Sequence, residues 1–459
     1  MKYLYRTVEG LTINSLKKKD LLTLGFMMFS IYFGAGNLIF PPALGQAAGD
    51  HTLHAMLGFM TTGIGLPLLG ITAIALAGGE YVPLLHAKTW PRFATVLLVI
   101  LYLIIGPLFA MPRTGAVSFE IGIRPFLSAD NLALGQIIYT AVFFASSYYL
   151  ALNPNKIIDR VGRMLTPALL IVLLILFVQA FHAPLGAILP ATGAYIDAPF
   201  AQGFQDGYQT MDLLASIAIG ALVANAVRMR GITDSRAVGA ACLVSGLITV
   251  MLMAAVYGSL AYIGATSTSV LGQAENGGQI LSAAVGIFFG SAGNLLLAVI
   301  IGLACLTTCC GITSSAAMFF NKLLKGRVSY ERLLLFSIMF SFAASNVGLT
   351  QIIALAIPFL VTIYPLIIVF VILSLFDRFI GWRKSIYQGA MALTLVFSLI
   401  DGLHAAGLSS EPVHALLVAY IPFYNIMMGW VCPAVIGALV GLIISFFQTA
   451  PAAAKESQV

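Results

Sequence analysis

The chain has 459 residues, of which 60% are hydrophobic and 9% are charged, and its mean hydropathy is +0.99. A soluble domain of this length could not bury so much apolar surface beneath so few charges, which excludes an ordinary soluble protein. The formal net charge of +6 comes from basic residues whose placement indicates membrane topology and not nucleic-acid binding.

Apolar runs long enough to cross a bilayer recur along the whole chain. A hydrocarbon core of about 30 Å needs about 20 helical residues, and the sequence supplies twelve such runs. The predicted spans are 20–41, 54–78, 93–118, 133–153, 163–181, 204–227, 238–263, 294–321, 333–347, 350–375, 386–403 and 426–447. We therefore predict an all-α, multi-pass membrane protein.

The basic residues give this topology independent support. If the N-terminus is cytoplasmic, every Lys and Arg except Arg113 and Arg124 falls in a cytoplasmic segment, as the positive-inside rule requires. Both tails, 1–19 and 448–459, are then cytoplasmic. The basic start has no apolar stretch typical of a secretory signal, so the first run is read as a retained span.

The first span contains the stretch FGAGNLIFPP, residues 33–42. Gly34, Gly36 and Asn37 make a local departure from helix easy, and the two prolines are expected to end the span. Non-helical backbone inside a membrane is tolerated only within protein or beside a water-filled cavity. The alternative is a close helix contact through small residues.

The sixth span contains the stretch GFQDGYQTMDLL, residues 203–214, with Asp212 well inside the apolar run. Intramembrane acids are costly and mark a substrate path, an ion path or a buried pair. The alternative is a structural pairing with Arg113, the intramembrane base of the third span.

The two weak segments occupy matching positions in two groups of five spans, about 20–181 and about 204–375. Five spans per group place the groups in opposite orientations. Broken helices at matching places in inverted repeats indicate a transporter site near the membrane midplane. The remaining segment, about 386–447, adds two further helices.

The eighth span contains ACLTTCCGITSSAAMFF, residues 304–320. Thr313 and Ser314 follow Cys310 at i+3 and i+4, which places two hydroxyls and a carbonyl on one helix face. Oxygen ligands suit a hard cation, and neutral ones suit a monovalent ion. The alternative is that each hydroxyl bonds to a carbonyl of the preceding turn.

Together these segments resemble the bacterial branched-chain amino acid:cation symporters over nearly the whole chain. The similarity rests on LGFMMFSIYFGAGNLIFPP, GPLFAMPRTGAVSFE, DGYQTMD and the basic, short-looped layout. FGAGN and GITSS are also similar to motifs of the sodium-coupled leucine transporter that defines the LeuT-type fold. The resemblance implies a five-plus-five inverted repeat with discontinuous helices 1 and 6, plus two C-terminal helices.

The resemblance also implies a substrate site at the two breaks. Backbone N–H groups at the first break would meet the amino-acid carboxylate, since exposed N–H groups favour anions. Carbonyls at the second break would face the amine, and Asp212 is a further charge partner for it. The substrate residues are then Gly34, Ala35, Gly36, Asn37, Tyr208, Gln209, Thr210 and Asp212.

One sodium ion is implied between the first and eighth spans. Its predicted ligands are the carbonyls of Ser30, Phe33 and Cys310 and the hydroxyls of Thr313 and Ser314. A second sodium site of the leucine transporter uses an asparagine in the seventh span. No asparagine is present in that span here, so we predict one coupled ion.

The predicted function is sodium-coupled import of leucine, isoleucine and valine across the bacterial cytoplasmic (inner) membrane by alternating access. The expected partners are the amino acid, sodium and the lipid bilayer, with no nucleic acid, no cofactor and a monomer as the expected state. A proton-coupled neutral amino acid carrier using Asp212 is the alternative. A channel or a membrane-embedded enzyme is disfavoured, because no filter ring and no intramembrane histidine is present.

Overall fold

The computed structural model describes residues 18–79, 81–152, 154–232, 234–381, 383–408 and 411–447. Most of both predicted tails, 1–17 and 448–459, lies outside these residues. The helices, in chain order, are α1 Lys18–Tyr32, α2 Ala35–Ala48, α3 Thr52–Met60, α4 Leu66–Leu76, α5 Tyr81–Lys88, α6 Pro91–Leu103, α7 Ala110–Gly122, α8 Leu132–Ala151, α9 Pro154–His182, α10 Pro199–Asp206, α11 Asp212–Arg228, α12 Ser235–Leu271, α13 Gly277–Leu323, α14 Tyr330–Ser345, α15 Leu349–Leu375, α16 Asp377–Ile380, α17 Lys384–Ala405, α18 Glu411–Tyr420 and α19 Val431–Phe447.

Length and composition allow seven of the described helical segments to cross a membrane, or eight when the bent pair Pro199–Thr210 and Asp212–Arg228 counts as one span. Two shorter apolar helices, Pro167–His182 and Val431–Phe447, add to these. The protein is therefore an all-α multi-pass membrane protein. The count of twelve and the boundaries of the two repeats stay predictions.

The first predicted span ends later than expected. Pro41 and Pro42 lie inside α2, which continues to Ala48, and the chain then turns at Gly49 with φ +47°. Proline is tolerated in a membrane helix where neighbouring groups satisfy the freed carbonyls. The second and third spans each contain a π-helical turn, Thr61–Gly65 and Ile104–Leu108.

The first span packs against both the seventh and the eighth spans. Helix α12 packs along α1, α2 and α4, and α13 packs along α2 and α7. Small residues allow the close approach of α2 and α12: a Cβ at Gly45 would overlap the carbonyl oxygen of Ala261. The two C-terminal helices α17 and α19 pack on each other, and α17 packs on α15.

Hydrogen bonds join the start of α13 to the end of the third span. Asn276 caps this helix by accepting from Gly278 N–H at 3.0 Å. Glu120, at the end of α7, accepts from Arg124 at 2.6 Å, Gln279 at 2.9 Å and Asn276 at 3.2 Å. Its carboxylate therefore fixes the start of α13 to the third span.

A buried ion pair joins the opposite connections. Lys88, at the end of α5, lies 2.8 Å from the Asp377 carboxylate, which also accepts from Tyr387 at 3.0 Å. Both charged side chains are below 10% exposed. The pair ties the connection between the second and third spans to the helices that follow α15.

Candidate substrate and ion site

The first helix break lies between α1 and α2. The backbone of Gly34 is extended, with φ −126° and ψ −168°, and α2 begins at Ala35. The Gly34 N–H donates to Asn37 Oδ1 at 3.3 Å, which satisfies one of the donors at the start of α2. The first N–H groups of a helix have no acceptor within it, so this break presents donors at the centre of the protein.

The second break lies between α10 and α11. A 3₁₀ turn, Gly207–Thr210, is followed by Met211 in the left-handed conformation with φ 62°, and the two helices are bent by 48°. Thr210 Oγ1 accepts from the Asp212 N–H at 3.3 Å and so caps α11. A non-glycine residue in this conformation costs about 1–2 kcal/mol, so the surrounding packing must hold the break in place.

Asn37 joins the two breaks. Its side-chain amide donates to the Asp212 carboxylate at 2.7 Å and to the Tyr257 hydroxyl at 2.5 Å. The exposed fractions of these three side chains are 4% or less. Tyr257 comes from α12, the seventh span, which contains no asparagine. The partner of Asn37 in this span is therefore a tyrosine hydroxyl, which was not predicted from the sequence.

Arg113 of α7 reaches the second break without pairing with Asp212. Its Nη1 donates to the Gln209 carbonyl at 2.5 Å and its Nη2 to the Thr210 carbonyl at 3.4 Å. Among the residues that the structure describes, no ion pair within 4.0 Å joins Arg113 to Asp212. Two of the carbonyls predicted to face a substrate amine therefore already accept from a guanidinium.

The remaining predicted substrate residues lie around these contacts. Gly34, Ala35 and Gly36 form the first break and the start of α2, and a Cβ at Gly36 would lie 2.9 Å from Arg113 Nη2. Tyr208 is buried and its ring stacks on that of Tyr364 in α15, with centroids 4.4 Å apart. All eight predicted substrate residues are thus at or beside the two breaks.

The second span supports the second break from one side. Thr62, in the π turn, donates to the Phe204 carbonyl at 2.6 Å. A Cβ at Gly63 would lie 3.5 Å from Thr210 Cγ2. A π turn leaves the helix locally wider, and such turns are frequent at functional sites.

The three residues of the eighth span that were predicted to bind sodium differ in their hydrogen bonds. The Thr313 hydroxyl donates to the Cys309 carbonyl at 2.6 Å, one turn earlier, and the Cys310 thiol donates to the Ser147 carbonyl in α8 at 3.6 Å. Ser314 is buried and its hydroxyl has no hydrogen-bond partner among the described residues. Ser30 and Phe33 stand in and just after α1, which packs on α12. The five-residue sodium site stays a prediction.

The first break meets the eighth span at a different residue. A Cβ at Gly34 would lie 3.4 Å from Cγ2 and 3.8 Å from Oγ1 of Thr308. At 3.6 residues per turn, Thr308 is roughly 200° around the helix from Cys310. Thr308 and its neighbour Thr307 follow Ala304 at i+4 and i+3, the same spacing as in the predicted set. The eighth span therefore contains the same pattern twice, and only the pattern that begins at Cys310 was predicted to bind sodium.

A second intramembrane acid was also missed. Asp401 lies in α17 with 1% of its surface exposed. Asp401 falls within the predicted eleventh span, 386–403, and is an intramembrane acid like Asp212. Among the described residues, no group of three or more His, Cys, Asp and Glu side chains could hold a metal ion.

Solved structures of membrane carriers share this architecture. The chain superposes on Mhp1, a nucleobase-cation-symport-1 family transporter, with a TM-score of 0.57 and 13% identity over 93% of this chain and 92% of that one. It superposes on MhsT, solved in complex with L-phenylalanine, with a TM-score of 0.56 and 16% identity over 94% and 98%. With its two broken helices, the chain therefore has the LeuT-type fold.

The sequence comparisons identify the family. The family described as branched-chain amino acid transport protein matches residues 17–448. The permease BraB of Bacillus subtilis is 46% identical over 95% of this chain and 97% of its own length. The transport system 2 carrier protein of Pseudomonas aeruginosa is 44% identical over 93% and 96%, and the permease BrnQ of Escherichia coli is 38% identical over 94% and 96%. The chain belongs to this family of transporters and is not an enzyme.

Proposed function

We propose that the chain is a sodium-coupled symporter that imports leucine, isoleucine and valine by alternating access. The observation that carries the proposal is the meeting of two helix breaks at a buried polar centre, where Asn37, Asp212 and Arg113 lie within an apolar bundle. Polar groups at this depth are costly without ligands or partners. The relatives' names supply the substrate class, since each is called a branched-chain amino acid permease or carrier.

The amino acid binds between the breaks. Its carboxylate meets the N–H groups of Ala35 and Gly36, and its amine meets the second break near Gln209 and Asp212. The apolar side chain is accommodated among neighbours such as Tyr208, because the described core offers few charges. Binding energy that differs between the outward- and inward-open states then shifts the population between them.

Sodium binds beside the first break. Thr308 lies beside Gly34, which supports its face with Ala304 and Thr307 over the set of Cys310, Thr313 and Ser314. The Thr307 hydroxyl donates to the Ala304 carbonyl at 2.9 Å and keeps its oxygen lone pairs for an ion. The carbonyls of Ser30 and Phe33 complete the ligand set in either arrangement.

The membrane orientation is part of the same proposal. The chain lies in the bacterial cytoplasmic membrane with both termini in the cytoplasm, supported by the distribution of Lys and Arg. The end of the bundle that holds Glu120 and the start of α13 then faces outward. The protein needs lipid around its exposed apolar helices, and it works as a monomer.

The test is uptake of labelled leucine into vesicles that contain the purified protein, with a sodium gradient or a pH gradient. We expect uptake with sodium and little with protons alone. Thr308→Val and Thr313→Val both replace a hydroxyl by a methyl of the same shape, so they form a matched pair. If only Thr308→Val loses the sodium dependence, the ion binds where Thr308 meets the first break at Gly34. Loss in Thr313→Val alone restores the predicted set, and no leucine uptake under either gradient refutes the function.

Proton coupling is the second candidate. It is favoured by Asp212, a buried carboxylate with no cation within 4.0 Å among the described residues. Proton-driven uptake that Asp212→Asn abolishes would move the coupling to this residue. Uptake that still requires sodium in Asp212→Asn would leave the acid with a role in substrate binding.

A further inference from the structure

We propose that Arg113 is the residue that recognises the substrate carboxylate and makes the carrier selective for zwitterions. This inference rests on the proposed function and names the group that sets its substrate class. Arg113 is 5% exposed, and its guanidinium lies between the two helix breaks.

The hydrogen bonds of Arg113 leave one edge of the guanidinium available. Nη1 and Nη2 donate to the carbonyls of Gln209 and Thr210. Nε is buried and has no hydrogen-bond partner among the described residues. An arginine has five N–H donors, and the Nε and Nη2 donors form a parallel pair that matches the two oxygens of a carboxylate.

That edge lies at the start of α2. The position of a Cβ on Gly36 would be 2.9 Å from Nη2 and 3.2 Å from Cζ, so glycine at this position permits the approach. The N-terminus of a helix carries a partial positive charge. A guanidinium against it is unfavourable unless an anion lies between them, and the N–H groups and the guanidinium would bind the same anion.

Among the described residues, no carboxylate forms an ion pair with Arg113. Asp212 forms no ion pair with Arg113 within 4.0 Å, and Asn37 holds its carboxylate by a 2.7 Å hydrogen bond. Phe40 covers one face of the guanidinium, with its ring centroid 5.2 Å from Cζ. Two opposite charges are thus held apart in an apolar bundle, and a zwitterion complements both: its carboxylate binds Arg113 and its amine lies toward Asp212.

The experiment compares leucine with leucinol, which replaces the carboxylate by a neutral alcohol. The readout is the ligand-induced rise in melting temperature of purified protein, which measures the affinity of unlabelled ligands at millimolar concentrations. The variants are Arg113→Gln, Arg113→Lys and, as a matched control, Arg230→Gln at the end of the sixth span. Sodium is kept constant.

We expect wild type and Arg230→Gln to prefer leucine strongly. Arg113→Gln should weaken the affinity for leucine by roughly 10- to 100-fold, which corresponds to the loss of a hydrogen bond to a charged group. The affinity for leucinol should stay nearly unchanged. Arg113→Lys keeps the charge but loses the paired donors, so its preference should be intermediate. If Arg113→Gln does not fold, a partial loss of the preference for leucine over leucinol in Arg113→Lys supports the role of Arg113 in carboxylate binding.

The inference is overturned if both variants keep the wild-type preference, or if they weaken leucine and leucinol equally, since Arg113 would then act on the fold alone. Failure of the proposed function gives a different result: wild-type protein binds neither ligand, and folded Arg113→Gln is indistinguishable from it.

Discussion

Asn37→Ala should weaken both the fold and transport, because one amide connects three parts of the site. Asn37 donates to Asp212 of α11 at 2.7 Å and to Tyr257 of α12 at 2.5 Å, and it accepts from Gly34 at 3.3 Å. Single hydrogen bonds between membrane helices contribute about 0.6 kcal/mol on average and up to about 1.7. Three bonds therefore predict a loss of about 2–5 kcal/mol in the free energy of unfolding.

The assay is unfolding of the purified protein in mixed detergent micelles, followed by helix content. A double-mutant cycle with Tyr257→Phe isolates the bond across α2 and α12, and we expect a coupling energy of about 0.6–1.7 kcal/mol. Tyr262→Phe, in the same helix, is the matched control. If the free energy of unfolding of Asn37→Ala is within about 0.5 kcal/mol of wild type and the coupling energy is near zero, the stabilisation assigned to the Asn37 hydrogen bonds is refuted.

Three further variants test other contacts. Lys88→Met leaves the Asp377 carboxylate buried without its cation, so the free energy of unfolding should fall by about 3–5 kcal/mol while leucine uptake per folded molecule is unchanged. Gly45→Ala places a methyl group against the backbone of Ala261, where neither helix can yield easily, and should destabilise the protein by about 1–3 kcal/mol in the same unfolding assay. Glu120→Gln removes the charge that fixes the start of α13, and amide hydrogen exchange there should become faster.

Each of these variants has a control. Lys322→Met replaces an exposed lysine, Gly258→Ala adds a methyl group where no atom lies within 4 Å, and Glu275→Gln neutralises an exposed acid that also accepts from Gln279. Equal effects of a variant and its control would show that the contact under test contributes nothing particular.

The sequence indicated both helix breaks because their causes are local. Glycines and an intramembrane acid weaken a helix wherever it is placed, so FGAGN and DGYQTMD could be identified before any packing was known. The proline pair at 41–42 misled the same reasoning, since whether proline ends a membrane helix depends on its neighbours. The prediction that these prolines end the helix of the first span was wrong, because that helix continues to Ala48.

Contacts between helices could not be predicted from spacing alone. Tyr257 meets Asn37 only because α12 passes α2 at a particular height and rotation. The eighth span likewise repeats one pattern at Ala304 and at Cys310, six residues apart, and the spacing within each is identical. Which of the two patterns lies beside the first break depends on the depth of that break, and that depth is a property of the assembled bundle.

The π turn at Thr61–Gly65 also limits where relatives of this chain can gain or lose residues in the second span. A π turn accommodates one more residue than the α-helix around it, so deleting a residue there would restore a regular helix. A deletion within the π turn would therefore leave α4 in register with α3, but Thr62 would lose the Phe204 carbonyl. A deletion in the α-helical turns beside it would instead rotate every residue of α4 by about 100° relative to α3, and the buried side chains of Ile71 and Ile74 would face the wrong neighbours. We therefore expect relatives that keep this site to have no insertions or deletions between Gly58 and Leu66, even where their loops differ in length.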